Sequence, residues 1–267
     1  MSDNGDVVVI TGASGGIGAA LAKRLGRDGK RLVLAARRES ELRSVASDAE
    51  AFGAQKALTV PTDVTRREAV NHLRDAALEE FGRIDVWVNN AGRGITRQII
   101  ELTDADLDDM IAVNLKSALY GIQAVIPHFI ERGEGHLINI SSFLGRVPLA
   151  SYRSAYSASK AALNSLTANL RMDLRASSPN IHVSLVMPGV VATDFAPNAK
   201  TPDALRPDLP GRRTAGPVQT ADEVAEAIAG VIENPVAELY TNPASSQFVR
   251  DYYSDVAAFE DRLAQPH

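Results

Sequence analysis

The sequence predicts an α/β fold: a doubly wound parallel β-sheet with helices on both faces, in a single domain spanning 1–267. Three observations predict it. Short β-rich runs alternate with longer helical stretches as far as Met187, the pattern of successive βαβ units. A glycine-rich turn joins the first run to the first helical stretch. The 267 residues suit one large α/β domain, and nothing along the chain marks a boundary between two.

The expected strands are Val7–Ile10, Arg31–Ala35, Ala57–Val60, Val86–Asn89, His136–Ser141 and Ile181–Met187. The expected helices between them are Ile17–Asp28, Glu39–Phe52, Arg67–Phe81, Thr103–Arg132 and Ala155–Ala176. Thr103 stands at an N-cap position with Asp106 three residues on, so the acids Asp104, Asp106, Asp108 and Asp109 read as a solvated helix start. The stretch 194–217 breaks the pattern, with prolines at 197, 202, 207, 210 and 217 and glycines at 211 and 216. So long an irregular segment inside a domain suggests a lid over a site or a disordered loop, with a passive surface loop as the bland alternative. A helix at Ala221–Ile232 follows, and 235–267 supplies a short strand, Glu238–Thr241, and a final amphipathic helix, Gln247–Leu263.

Composition narrows the function. The net charge of −5, from 28 basic and 33 acidic residues, argues against a nucleic-acid surface. Cysteine is absent, which excludes disulfides and thiolate metal sites and fits a reducing compartment. The five histidines are scattered, so no catalytic metal is expected. The apolar run Val7–Ile10 is far shorter than a membrane span, so the expectation is a cytoplasmic protein with no membrane partner. The sequon Asn139-Ile140-Ser141 falls in an expected buried strand and is discounted.

The strand Val7–Ile10 runs into Thr11-Gly12-Ala13-Ser14-Gly15-Gly16-Ile17-Gly18 and then into a helix. Strand, glycine turn and helix N-terminus together suit a dinucleotide pyrophosphate, because glycines admit close backbone approach and the helix start favours negative charge. The spacing is Gly-x-x-x-Gly-x-Gly, on Gly12, Gly16 and Gly18, and a plain tight turn is the bland alternative. At the end of the second strand no acid stands ready for a ribose hydroxyl; Arg37 and Arg38 follow instead. A guanidinium fork suits a 2′-phosphate, so NADP(H) is the expected cofactor, with NAD(H) possible.

Lys160 follows Tyr156 by four residues, which puts both on one helix face. A phenol can protonate the oxygen formed when a carbonyl carbon receives a hydride, but its pKa of about 10 is high for a base near neutrality. Lowering it by roughly three units takes about 4 kcal/mol. One ammonium about 4 Å away at an effective dielectric of 20 supplies roughly that.

With these pieces the chain resembles the short-chain dehydrogenase/reductase family in its compact Rossmann-like, single-domain branch. The resemblance runs to about Thr193 and rests on Thr11–Gly18, Asp63-Val64, Asn89-Asn90-Ala91-Gly92, Asn114, Ile140-Ser141-Ser142, Tyr156–Lys160 and Pro188-Gly189 with Thr193, in that order. It implies Tyr156 as general acid/base, with Lys160 tuning it and binding the nicotinamide ribose. It also implies Ser142 on the substrate oxygen and Asn114 carrying a water toward Lys160. For the cofactor it implies the turn residues Gly12, Ser14, Gly16, Ile17 and Gly18, then Asp63 and Val64 at the adenine. Asn90, Ala91 and Gly92 would line the adenosine side, and Pro188, Gly189, Val191 and Thr193 the carboxamide.

The chain departs from the family pattern in places. Ser142 precedes Tyr156 by fourteen residues rather than the more usual thirteen, which keeps Ser141 as a second candidate and suggests an insertion in Val147–Arg153. Ser14 stands where many NADP-preferring members carry a basic residue, so the cofactor preference rests on Arg37 and Arg38. The tail lacks the glycine-rich strand that builds many family tetramers, which favours a homodimer over a homotetramer. The implied activity is interconversion of a ketone or aldehyde with an alcohol. The residues thought to face the small-molecule substrate are mostly apolar: Arg93–Ile95, Phe143–Leu149, Tyr152, Val190 and 194–213. A dehydratase or isomerase using the cofactor transiently, and a cofactor-binding regulator without turnover, remain alternatives.

Overall fold

A computed structural model describes residues 5–193, 195 and 216–264. Among them, seven strands form one sheet in the order β3-β2-β1-β4-β5-β6-β9, every pairing parallel. These strands are β1 (Val7–Thr11), β2 (Arg31–Ala36), β3 (Lys56–Pro61), β4 (Val86–Asn89), β5 (Gly135–Ile140), β6 (Ile181–Met187) and β9 (Glu238–Tyr240). Two short strands, β7 (Val191–Ala192) and β8 (Gln219–Thr220), pair separately. The helices are α1 (Gly16–Arg27), α2 (Glu39–Ala51), α3 (Arg67–Phe81), α4 (Asp104–Ile111), α5 (Ser117–Arg132), α6 (Ser154–Arg175), α7 (Ala221–Glu233), α8 (Ser245–Ser254) and α9 (Val256–Ala264).

The pleat sorts consecutive side chains onto opposite faces. Val8 and Ile10 of β1 join Leu32, Leu34, Val88 and Ile140 under α1, α2 and α7. Val7 and Val9 join Val33, Val60, Trp87 and Leu137 under α3, α5 and α6. Both faces of β1 are buried, which is why its sequence is a continuous β-branched run rather than an alternation. The buried amides of Asn89 and Asn139 bond to each other at 2.9 Å, tying β4 to β5, so the Asn139 sequon is sealed in the core.

The expected elements are present, with two differences. The helical stretch from Thr103 begins with a capping box between Thr103 and Asp106, but a π-turn, Ala112–Lys116, interrupts it and separates α4 from α5. By length and composition 104–132 could cross a membrane; half of its apolar window is instead buried inside the protein. The expected single helix 247–263 is two helices. Asp255 takes extended backbone, and its carboxylate accepts the N–H of Ala258 at 2.9 Å, capping α9.

The chain leaves β1 toward β2 and β3, then crosses back to β4 on the other side. In open parallel sheets that reversal opens a crevice beyond the C-terminal strand ends.

Candidate active site

A cleft of about 1050 Å³ lies in that crevice, lined by the residues that follow β1 through β6. At the β1 end, Gly12 and Gly16 have φ of 69° and 53°, where a side chain is strained. A Cβ on Gly12 would also lie 2.8 Å from the Ala91 Cα. The Thr11 hydroxyl accepts the N–H groups of Asn90 and Ala91 at 3.0 and 3.1 Å, and the Asn90 amide donates back to the Thr11 carbonyl at 2.9 Å. These bonds lock the turn to the end of β4. The start of α1 has no capping side chain and no acid in its first turn, so its N–H groups suit an anion. Gly18 does not line the cleft: it is buried beneath the turn, where a Cβ would press on the Gly12 carbonyl and the Asn90 amide.

Arg38 reaches back across the mouth of the turn. Its Nη2 lies 3.1 Å from both the carbonyl and the hydroxyl of Ser14, and its Nη1 lies 3.4 Å from Glu41. A guanidinium therefore stands where the turn itself offers only a serine. Arg37 also lines the cleft, facing Asp63. Burial pushes the Asp63 carboxyl up, but bonds from the Thr65 hydroxyl (2.7 Å) and N–H (3.0 Å), with Arg37 and Arg66 nearby, bring it below its usual range. Val64, Asn90, Ala91 and Gly92 continue this wall, and Pro188, Gly189, Val191 and Thr193 close the side after β6.

At the other end Ser142, Tyr156, Lys160 and Asn114 come together, all buried. Ser142 hydrogen-bonds the Tyr156 phenol and accepts the Leu144 N–H at 3.2 Å. The neighbouring Ser141 hydroxyl points into α6, 2.5 Å from Asn164 Oδ1. Of the two candidate serines, Ser142 is thus the one that meets the phenol. Asn114 sits in the π-turn, where its amide accepts the Arg93 N–H at 2.9 Å and donates to the Arg93 carbonyl at 3.0 Å and Ser159 Oγ at 3.2 Å. An irregular helical turn at such a position is a common mark of a functional site.

Lys160 lies one turn after Tyr156 on α6. Its Nζ donates to the Ile140 carbonyl at 2.9 Å and lies 5.9 Å from the Tyr156 ring centroid. Burial alone pulls the ammonium down to about 8. Burial pushes the Tyr156 phenol up, opposed by the Ser142 hydrogen bond and by the charge of Arg153. Arg153, at the N-cap of α6 three residues before Tyr156, is the cation whose charge lowers the phenol, a spacing visible in the sequence.

The cleft wall after Ser142 is held from afar. A short 3₁₀ turn, Phe143–Gly145, leads to Val147 and Leu149, and Phe143, Val147 and Leu149 pack with Phe259 of α9, beside Phe248, Val249 and Tyr252 of α8. Arg146 pairs with Glu238 of β9 at 2.6 Å. The Phe195 ring meets Tyr156 edge-on at 5.5 Å; the rest of the expected lid, 194–213, lies outside the described residues.

The sequence pattern of the family described as short chain dehydrogenase matches residues 6–204. The chain is 37% identical over 187 residues to an uncharacterized oxidoreductase of Staphylococcus aureus, covering 70% of this chain and 78% of that one. A short-chain dehydrogenase/reductase from Burkholderia phymatum, solved with NAD, superposes with a TM-score of 0.84 at 31% identity over 97% of this chain and 96% of that one. An alcohol dehydrogenase from Thermococcus sibiricus, complexed with 5-hydroxy-NADP, gives a TM-score of 0.75 at 30% identity over 88% and 95%. With its seven-stranded parallel sheet, its glycine turn and these relatives, the chain belongs to the short-chain dehydrogenase/reductase family, a family of NAD(P)-dependent oxidoreductases.

Proposed function

We propose that this protein is an NADP(H)-dependent oxidoreductase that interconverts a ketone or aldehyde with its alcohol. One observation carries the reading: the buried Ser142–Tyr156–Lys160 group shares a single cleft with a glycine turn guarded by Arg38. The positive φ angles and the close approach of Ala91 make that turn a cradle a Cβ would fill, which fits a pyrophosphate. Gly12, Ser14, Gly16 and Ile17 bind it, with Gly18 acting from beneath by permitting the turn. Arg37 and Arg38 take the 2′-phosphate. Asp63, Val64, Asn90, Ala91 and Gly92 bind the adenosine, and Pro188, Gly189, Val191 and Thr193 the carboxamide. Use of NAD(H) is secondary, in keeping with relatives solved with either dinucleotide.

A nicotinamide dinucleotide bound here supplies or accepts the hydride. The side chains manage the proton and the orientation. Ser142 donates to the substrate oxygen and holds it beside the phenol, a contact that strengthens as negative charge develops there. Tyr156 passes its proton to that oxygen during reduction and takes it back during oxidation. Lys160, with a pKa of about 8, lies close enough to titration to exchange protons near neutral pH. Asn114 keeps the turn beside Lys160 in place and carries the water that refills it.

The test is a screen of NADPH oxidation over ketones, aldehydes, quinones, sugars and acyl thioesters, repeated with Tyr156→Phe. Turnover of at least one class is expected, falling by about 10² to 10⁴ in the variant with dinucleotide affinity preserved. Near-normal kcat in Tyr156→Phe would exclude the mechanism. Cofactor binding with no oxidation of any class would favour a regulator.

A further inference from the structure

We infer that Ser159 is a positioning residue for the reaction: it fixes the Asn114 amide against the peptide of Tyr156, and so holds the π-turn and the catalytic turn of α6 in one alignment. The inference rests on the oxidoreductase reading above and adds one residue to its working group. Ser159 lies three residues after Tyr156 and directly before Lys160 on α6, and it is fully buried. Tyr156 and Lys160 line the cleft and Ser159 stands behind them, so it acts through its neighbours.

Its hydroxyl has two partners. Oγ donates to the Tyr156 carbonyl at 2.7 Å and accepts from Asn114 Nδ2 at 3.2 Å. A serine has one O–H hydrogen. With that hydrogen on the Tyr156 carbonyl, Oγ offers Asn114 a lone pair, and the amide must turn its nitrogen toward α6. The other Nδ2 hydrogen goes to the Arg93 carbonyl at 3.0 Å, and Oδ1 accepts the Arg93 N–H at 2.9 Å. The Met110 sulfur, 3.7 Å from Nδ2, adds a weak contact. Of these bonds, the one to Ser159 refers the amide to the helix that carries Tyr156 and Lys160. A serine bonded to its i−3 carbonyl is a common local feature of helices; the Asn114 contact turns that feature into a tertiary link.

The link bears on the reaction because of where Oδ1 lies. A Cβ on Gly92 would be 3.1 Å from Asn114 Oδ1 and 3.6 Å from Lys160 Nζ, so the amide oxygen and the ammonium border the same small space. Asn114 stands in a π-turn, where the regular helical pattern is broken, and bonds to other segments set its place. Without the Ser159 hydroxyl, a buried Nδ2 hydrogen loses its oxygen acceptor, and the amide is free to shift away from Lys160.

The experiment follows Ser159→Ala, Asn114→Ala and the double variant as full-length proteins, with thermal melts to establish that each is folded. Residue-resolved amide hydrogen exchange is read by NMR, and turnover is read with NADPH and 4-nitrobenzaldehyde. In Ser159→Ala the Arg93 amide should exchange about threefold faster or more, because the acceptor it bonds is less firmly held. The kcat should fall about 10- to 100-fold, the scale of a small misplacement near reacting groups, with the Kd for NADPH unchanged. The double variant should be no slower than Asn114→Ala, since two residues that act through one contact are not additive. Unchanged Arg93 exchange would overturn the inference. So would an unchanged kcat, or losses that add in full in the double variant; Ser159 is then a helical back-bond and nothing more. If 4-nitrobenzaldehyde is not reduced at all, the oxidoreductase reading is the one weakened, and the exchange still decides: faster Arg93 exchange supports the link, and unchanged exchange refutes it.

Discussion

The turn after β1 takes its shape from its own residues, whereas the wall after β5 takes its shape from the far end of the chain. Gly12 and Gly16 adopt backbone angles that their lack of a side chain permits, and Thr11 and Asn90 tie the turn to the adjacent strand. Phe143, Val147 and Leu149 are instead packed against Phe259, with Glu238 pinning Arg146. On the proposed reading, the dinucleotide end is therefore local and modular, and the substrate end depends on long-range burial. Substitutions should divide accordingly: those in the turn act on cofactor affinity, and those in α8 and α9 act on substrate use and stability.

Phe259→Ala should have the largest effect on stability. Deleting a buried aromatic side chain costs about 3–5 kcal/mol, and a thermal melt will register it. In the protein that remains folded, KM for the carbonyl substrate should rise while the Kd for NADPH stays unchanged. A matching rise in both would erase the division between the two ends.

Lys160 gives the next effect, through pH. Its folded pKa of about 8 lies below the ordinary 10.5, so between those values the unfolded chain binds more protons than the native one. Stability must then rise with pH across that window, by up to about 3 kcal/mol at full effect. Lys160→Met should flatten the rise when unfolding is followed by denaturant titration at pH 8 and pH 10. An unchanged slope would mean that the ammonium is better solvated than its burial implies.

Gly12→Ala tests the local end. A side chain in the left-handed region costs about 1–2 kcal/mol, before the contact with Ala91 is counted. Dinucleotide affinity should drop while the α8–α9 packing, followed by near-ultraviolet circular dichroism of its aromatics, is unaltered. Arg38→Ala should have the smallest effect: NADPH binding weakened about tenfold, in line with one lost charged hydrogen bond, and NADH binding little altered. Equal weakening for both dinucleotides would move Arg38 from phosphate recognition to support of the Ser14 turn.

Much of this was legible in the chain because it is encoded over short distances. Strand runs, glycine spacing and the Tyr156–Lys160 interval are each set within one or two elements, where period and backbone freedom leave few options. The capping box of Thr103 and Asp106 is of the same kind. The π-turn at Asn114 was not legible, since no local signal marks it and the partners of Asn114 there, Ser159 and Arg93, come from α6 and the segment after β4. Nor was the break at Asp255, where the apolar pattern continues across a bend that one carboxylate caps.

By itself, then, the sequence determined the order of the βαβ units, the parallel sheet and the residue types that meet at the strand ends. Tertiary structure decided which serine faces the phenol, that Gly18 works from beneath the turn, that Arg38 stands over Ser14, and that Lys160 turns to the Ile140 carbonyl. The reason is physical: periodicity and glycine freedom act through the backbone of neighbouring residues, whereas the direction of a long side chain and the pKa of a buried one depend on what remote segments bring beside them.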